Sequence, residues 1–260
     1  MTETGYNTLL LIAIALLSCG LATVAALLLH KLRKVHRIAN ALRLESKAIK
    51  QETQVLYRQI EALLGLHQLL RLDRPLPALR GWAASPDFLL TVCEHVIANR
   101  PQTILECSSG ASTVALARTL QRLRAGKVFS LEHDPHYAGL TREELAKHGL
   151  QDWATVIDAP LVAYPDLDGA KWYSLEAMAL PPGSVGLLVV DGPPLTLGPY
   201  ARYPAMLKLS SLLAEDCTIF LDDADRDDEK AVIARWMKQN AAMKLCTIPL
   251  EKGCARIDLR

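Results

Sequence analysis

Thr103–Ala117 reads TILECSSGASTVALA, and the order of its parts decides the fold. A β-type apolar entry from Thr103 to Leu105 closes on Glu106, a turn of small residues follows, and a fresh helix opens near Ala111. Small residues let a backbone approach a ligand closely, and the first turn of a helix carries N–H groups without intrahelical partners. A strand, a small-residue turn and a helix in that order make the crossover with which parallel sheets hold a bound cofactor.

Working outward, the pattern repeats. Further β-type runs fall at Val128 to Leu131, Ala154 to Ile157, Val185 to Val190 and Thr218 to Leu221, with helical stretches at Ala111 to Leu123 and Pro135 to Lys147. Upstream, Ser85-Pro86-Asp87 reads as a helix start, and that helix would bury Phe88, Leu89, Val92, Val96 and Ile97. Such alternation predicts an α/β domain, a doubly wound and mostly parallel sheet with helices on both faces and its ligand at the C-terminal strand ends. An acid stands at each of those ends: Glu106, Glu132, Asp158, Asp191 and Asp222. Any one of them is also an ordinary turn or cap residue. Five in order are expected to face one crevice.

The first 74 residues are of another kind. Leu9 to Leu29, LLLIAIALLSCGLATVAALLL, carries no charge and is long enough to cross a hydrocarbon core of about 30 Å. The preceding MTETGYN has no Lys or Arg, which argues for an uncleaved anchor over a cleaved signal peptide. Lys31, Arg33, Lys34 and Arg37 follow the run at once, so the positive-inside bias predicts a single-pass protein of the cytoplasmic (inner) membrane, its N-terminus outside and its large part in the cytoplasm. From 31 to 74 a long amphipathic helix is expected. Val35, Leu42, Ile49, Leu56, Leu63 and Leu70 recur every seven residues, the spacing of one coiled-coil seam position, whereas Glu45, Glu52 and Gln59 spoil the companion position. A homodimer through residues 35–70 and a helix packed on its own domain are both open. Arg74-Pro75-Leu76-Pro77 ends the helix, giving an anchor over 1–30, a stalk over 31–74 and a globular domain over 75–260.

Composition narrows the classes. With 260 residues, a net charge of +1 and half the residues apolar, the chain holds one main core and shows no basic signature of a nucleic-acid binder. Its six cysteines have neither CxxC nor Cys/His metal spacing.

The block from Gly81 to Arg260 resembles the class I S-adenosylmethionine-dependent methyltransferases, with a motif order similar to that of catechol O-methyltransferase. LECSSGAST resembles the first motif of the family. The resemblance implies a Rossmann-like seven-stranded sheet, with Glu106 and the turn of Ser108, Ser109, Gly110 and Ser112 holding the methionine portion of the cofactor. Glu132, 26 residues after Glu106, matches the acid that takes both ribose hydroxyls, which a carboxylate suits because it accepts two donors at once. Asp158 and Ala159 take the place of the segment that borders adenine. In catechol-type enzymes the acids of the fourth and fifth strand ends, with an Asn, hold a divalent cation. Asp191, Asp222 and Asp223 match those positions, Asp223 replacing the Asn, and the resemblance implies Mg²⁺ there.

Two departures stand out. Ser108 replaces the leading glycine of the first motif, where a positive φ would cost serine on the order of 1 kcal/mol. Pro193 and Pro194 stand where catechol-type enzymes carry a lysine, which leaves Asp191 as the candidate base. DGPP followed by ARYPAM looks closer to a bacterial methyltransferase group with an Arg-Tyr-Pro segment. Arg202, Tyr203 and Arg226 are candidate acceptor residues, since Arg clamps anions with paired hydrogen bonds. The expectation is O-methylation of a small or membrane-associated acceptor on the cytoplasmic side. A catalytically degenerate scaffold on a coiled coil and a dinucleotide or nucleotide-sugar enzyme are the alternatives.

Overall fold

A computed structural model describes residues 3–167, 169–240 and 242–259. The chain divides into two units, residues 1–56 and 57–260. Helix α1 spans Glu3–Leu70 and so contributes to both.

In the first unit every described side chain but half-buried Val55 is exposed, including Leu9, Leu16, Leu21 and Leu28. By length and composition this helix is apolar enough to cross a membrane.

Residues 57–70 behave differently, because they help close the second unit. Ala62, Leu66 and Leu70 are buried, and Leu66 and Leu70 pack with Phe88, Leu89 and Val92 of α2 (Pro86–Asn99). Gln59 is buried with them and accepts the Asp87 N–H. Two of the seven-residue positions, Leu63 and Leu70, therefore lie in a segment whose buried face serves its own domain.

The second unit is built on a seven-stranded sheet. Its strands are β1 (Thr103–Cys107), β2 (Lys127–Glu132), β3 (Ala154–Asp158), β6 (Val185–Val190), β7 (Leu213–Asp222), β8 (Lys244–Ile248) and β9 (Cys254–Asp258), in the order β3-β2-β1-β6-β7-β9-β8. Strands β1, β2, β3, β6 and β7 are parallel, and β9 runs antiparallel between β7 and β8. The remaining pair, β4 (Leu161–Tyr164) and β5 (Ala170–Tyr173), forms a separate antiparallel hairpin. After β3 the chain returns to the other side of β1, so the switch in strand order lies between β1 and β6. That is where open parallel sheets bind ligands.

Alternation along each strand fills two cores. Ile104, Leu187 and Val189 face the helices α2 and α3 (Ala111–Leu123), whereas Leu105, Leu188 and Val190 pack with Trp172, Met206 and Trp236. Helix α4 (Pro135–Lys147) covers the β2–β3 end, capped by the Asp134 side chain accepting the His136 N–H. Helices α5 (Pro204–Leu209) and α6 (Asp227–Gln239) supply the second face.

Candidate active site

The β1–α3 turn is held from beneath by one buried acid. Glu106 is wholly buried, and its Oε2 accepts the hydroxyls of Thr113 at 2.6 Å and Ser130 at 2.9 Å. Thr113 Oγ1 in turn accepts the Gly110 N–H, and the Ser130 hydroxyl also lies 2.6 Å from the Ser108 carbonyl. Through these bonds one carboxylate fixes both ends of the small-residue turn. Its Oε1 has no partner, and burial pushes its pKa up from 4.5 to about 7, against the lowering influence of Ser112, Thr113 and Ser130. Ser108 has a φ of 96° and bears the backbone cost that the sequence anticipates for a residue with a Cβ.

Above this turn lies a cavity of about 690 Å³ lined by Ser108, Ser109, Gly110 and Ser112 at one end and by Asp191, Arg202, Asp223 and Arg226 at the other. A side chain at Gly110 would meet no atom within 4 Å, so the turn borders the cavity directly. Glu132 lines it too. Its Oε2 accepts the Ser109 N–H and hydroxyl, each at 3.0 Å, and its Oε1 accepts the N–H groups of His133 and Asp134. A carboxylate has about four lone-pair sites, and these donors fill them. A ribose hydroxyl fits only if the Ser109 hydroxyl turns away and frees one of these sites, and Thr141 Oγ1, 3.0 Å from it, is placed to receive it.

The five strand-end acids do not share one crevice. Glu132 and Asp191 line the cavity, Glu106 is sealed beneath the turn, and Asp222 lies buried behind Asp191 and Asp223. Asp158, 64% exposed, pairs with Arg142 of α4 at 2.8 Å and is outside the cavity lining, as is buried Ala159. Register does not separate them, since Glu132 is paired with Asp158, and Asp191 and Asp222 follow the paired Val190 and Leu221; what separates them is that Arg142 holds Asp158 at the surface and Glu106 lies two residues deeper, under the turn.

At the far end, side chains from three loops converge. Asp191, Asp222 and Asp223 bring carboxylate oxygens within 4.8 Å of one another. Burial, then repulsion from Asp222, pushes the Asp191 pKa well above the carboxylate range, and burial with Asp223 beside it raises that of Asp222 to about 6. Into this cluster reaches the buried Arg202. Its Nη2 donates to Asp223 Oδ2 at 2.8 Å and to the Asp191 carbonyl at 2.8 Å and lies 3.3 Å from Asp191 Oδ1, while its Nη1 donates to the Asp222 carbonyl. Asp223 Oδ2 is shared with Arg226 Nη1 at 2.7 Å.

These residues are a poor fit for the Mg²⁺ that the sequence resemblance implies. Two of the three carboxylates already face a guanidinium, and a divalent ion bridging them would lie beside that fixed positive charge. The oxygens left without partners, both of Asp222 and Oδ1 of Asp223, are buried behind the occupied pair.

Tyr203 sits elsewhere. Its carbonyl accepts the Trp236 indole N–H and its phenol accepts from Gln239, so it anchors α6 and is outside the cavity lining. Two lining residues carry no motif in the sequence. Lys252, in the β8–β9 turn, lowers the pKa values of Asp191 and Asp222 through its charge and donates to the Ala83 carbonyl. Trp82 stands 73% exposed at the rim. A third unanticipated residue, Tyr173, lies buried against Gly192 with its hydroxyl unpartnered. Lys252 has one legible cue, a Lys-Gly turn between two short β-type runs.

A family model described as a methyltransferase domain matches residues 105–224. No curated protein matches the chain. Among solved structures the chain is similar to the methyltransferase PaMTH1 of Podospora anserina with bound SAH, at 16% identity and a TM-score of 0.56, covering 80% of this chain and 94% of that one. An O-methyltransferase of Bacillus cereus in complex with SAH shares 20% identity with a TM-score of 0.52, over 77% and 91% of the two chains. TomG of Streptomyces achromogenes, an O-methyltransferase involved in tomaymycin synthesis and solved with SAM, shares 16% at 0.51, over 79% and 95%.

Proposed function

We propose, from the premise that the globular domain belongs to the class I S-adenosylmethionine-dependent methyltransferases, that it methylates an oxygen nucleophile. One observation carries the reading: a single cavity joins the Ser108–Ser112 turn and Glu132 to Asp191 at the strand ends. The cofactor supplies a methyl group on a sulfonium, which is already an activated leaving group. This chain then has to position two reactants and remove one proton.

The turn amides and the start of α3 face the methionine carboxylate, with Glu106 bracing them from beneath. Glu132 takes the ribose, whereas Asp158 and Ala159, outside the cavity lining, do not contribute to it. Asp191 is the base. It lines the cavity, where its carboxylate can take the acceptor's hydroxyl proton as the oxygen attacks the methyl carbon and sulfur leaves. Arg226, 41% exposed at its side chain, is a lining cation beside the acid cluster with a face open to an anionic acceptor.

The uncharged run over 9–29 and the cations that follow it support a single-pass anchor with this domain on the cytoplasmic side, close to membrane-associated acceptors. Residues 35–56, exposed throughout apart from half-buried Val55, support a homodimer as the use of that stretch.

Calorimetric titration of the full-length protein in detergent with S-adenosylhomocysteine tests the assignment. Binding in the micromolar range is expected, weakened about 10- to 100-fold in Glu132→Ala, because a hydrogen bond to a carboxylate contributes about 1.5–3 kcal/mol. Absence of heat at millimolar ligand returns the domain to the scaffold reading.

A further inference from the structure

We propose that Arg202 is the resident cation of the acceptor site, filling with a protein side chain the place at Asp191 and Asp223 where the sequence resemblance implies a divalent ion. The inference rests on the methyltransferase reading above and deepens it. Arg202 is buried at the meeting point of the acids, with Asp223 Oδ2 at 2.8 Å and Asp191 Oδ1 at 3.3 Å from Nη2 and Glu229 Oε1 at 3.7 Å from Nε. Its other donors hold the carbonyls of Asp191 and Asp222, which ties the ends of β6 and β7 together. A guanidinium is planar, permanently charged and more weakly hydrated than a metal ion, so it remains in a buried carboxylate cluster without an inner shell of water.

Charge supports the same occupant. Asp191, Asp222, Asp223 and Glu229 are faced by Arg202, Arg226 and Lys252, so protein side chains already balance all but one of the carboxylates. A further doubly charged ion would overcompensate the cluster and stand against a fixed like charge.

The consequence concerns the acceptor. A metal ion can coordinate two neighbouring oxygens of one substrate, whereas a carboxylate held by a guanidinium reads one O–H donor. Arg202 keeps Asp191 Oδ1 fixed on its inner side, which leaves the rest of that carboxylate to accept a single hydroxyl from the cavity. The substrate class that fits is an alcohol or phenol with one reactive hydroxyl and no requirement for a vicinal partner.

Mn²⁺ uptake by the full-length protein, read from the loss of the free-ion electron paramagnetic resonance signal, tests the proposal without any turnover. The wild type is expected to leave the signal unchanged up to about 1 mM Mn²⁺. Arg202→Met, which removes the charge and keeps the length, is expected to take up one equivalent at least about 100-fold more tightly, since the like-charge penalty is gone. Arg202→Lys keeps the cation and should stay closed, and adding Asp223→Asn to Arg202→Met should abolish the uptake. One equivalent bound by the wild type at about 10 μM, within the range of oxygen-ligand sites, overturns the proposal. A folded Arg202→Met that takes up none, or uptake that survives Asp223→Asn, overturns it as well. Should Arg202→Met not fold, Arg202→Gln replaces it, and the wild-type titration decides by itself if neither folds. Failure of S-adenosylhomocysteine to bind breaks the cofactor reading and leaves the Mn²⁺ result standing, so the two failures are distinguishable.

Discussion

The two ends of the cavity are built on opposite principles. At the turn end, acids are held by uncharged donors: Glu106 Oε2 by Thr113 and Ser130, and Glu132 by Ser109, His133 and Asp134. At the far end, acids are balanced by charge across loops, with Arg202 binding groups 11, 20 and 21 residues away and four carboxylate oxygens, of Asp222, Asp223 and Glu229, left without hydrogen-bond partners. Spreading the load over several donors makes the first end tolerant of change, because losing any one forfeits only about 1–3 kcal/mol. A buried ion cluster makes the second end intolerant, since removing one partner leaves uncompensated charge.

Removing the guanidinium therefore has the largest effect. Arg202→Met is expected to destabilise the domain by about 3–5 kcal/mol in urea unfolding, the cost of breaking a buried pair. Part of that loss should return on adding Mn²⁺, because an ion bound only by the folded state stabilises it. Equal loss with and without the ion would remove the contrast between the two ends.

The turn end yields less, and through pH. Glu106 has a folded pKa raised from 4.5 to about 7, so its protonated form favours folding. That contribution is complete below about pH 4.5 and disappears as pH rises through about 7. Glu106→Gln keeps a neutral group of the same shape. It is expected to be more stable than wild type at pH 8 by up to about 3 kcal/mol and to show little difference at pH 4, read from thermal unfolding. Asp222, raised to about 6, keeps a residual slope of the same sign in the variant. A variant as pH-sensitive as the wild type would mean that Glu106 is ionised in the folded domain.

What the sequence disclosed follows the same division. The β1–α3–β2 end is legible because strand, small-residue turn and helix follow one another in one continuous motif, with Glu106 and Thr113 seven residues apart inside it. Helices α3 and α4 begin and end where the residue pattern places them. Arg202 is legible as a residue but not in its use, since its donors turn inward to Asp191, Asp222 and Asp223 only once β6 and β7 lie side by side. Lys252 escapes because β8, the edge strand of its hairpin, is exposed along nearly its whole length and carries no alternating pattern. At the end of α1 a seven-residue apolar period serves equally a seam between helices and a face on one's own core, and Leu66 and Leu70 take the second use.

Where the two ends touch, steric effects sharpen the comparison. Gly192, directly after Asp191, lies so close to the turn that a Cβ there would collide with the Tyr173 hydroxyl and come within 2.9 Å of Ser108 Cβ. Gly192→Ala is expected to cost about 1–3 kcal/mol, the range for overpacking a tight contact. Ser108→Gly should do the reverse. It removes a Cβ from a residue at φ 96° and is expected to stabilise the fold by about 1 kcal/mol, less the small entropy that glycine adds to the unfolded chain. The double variant decides whether the ends press on each other. Because Ser108 Cβ is one of the two atoms that a Cβ at Gly192 would strike, Ser108→Gly should recover part of the Gly192→Ala cost, giving a coupling of about 0.5 kcal/mol or more. Strict additivity in urea unfolding would mean that Tyr173 bears the whole collision and that turn and acid cluster meet without strain between them.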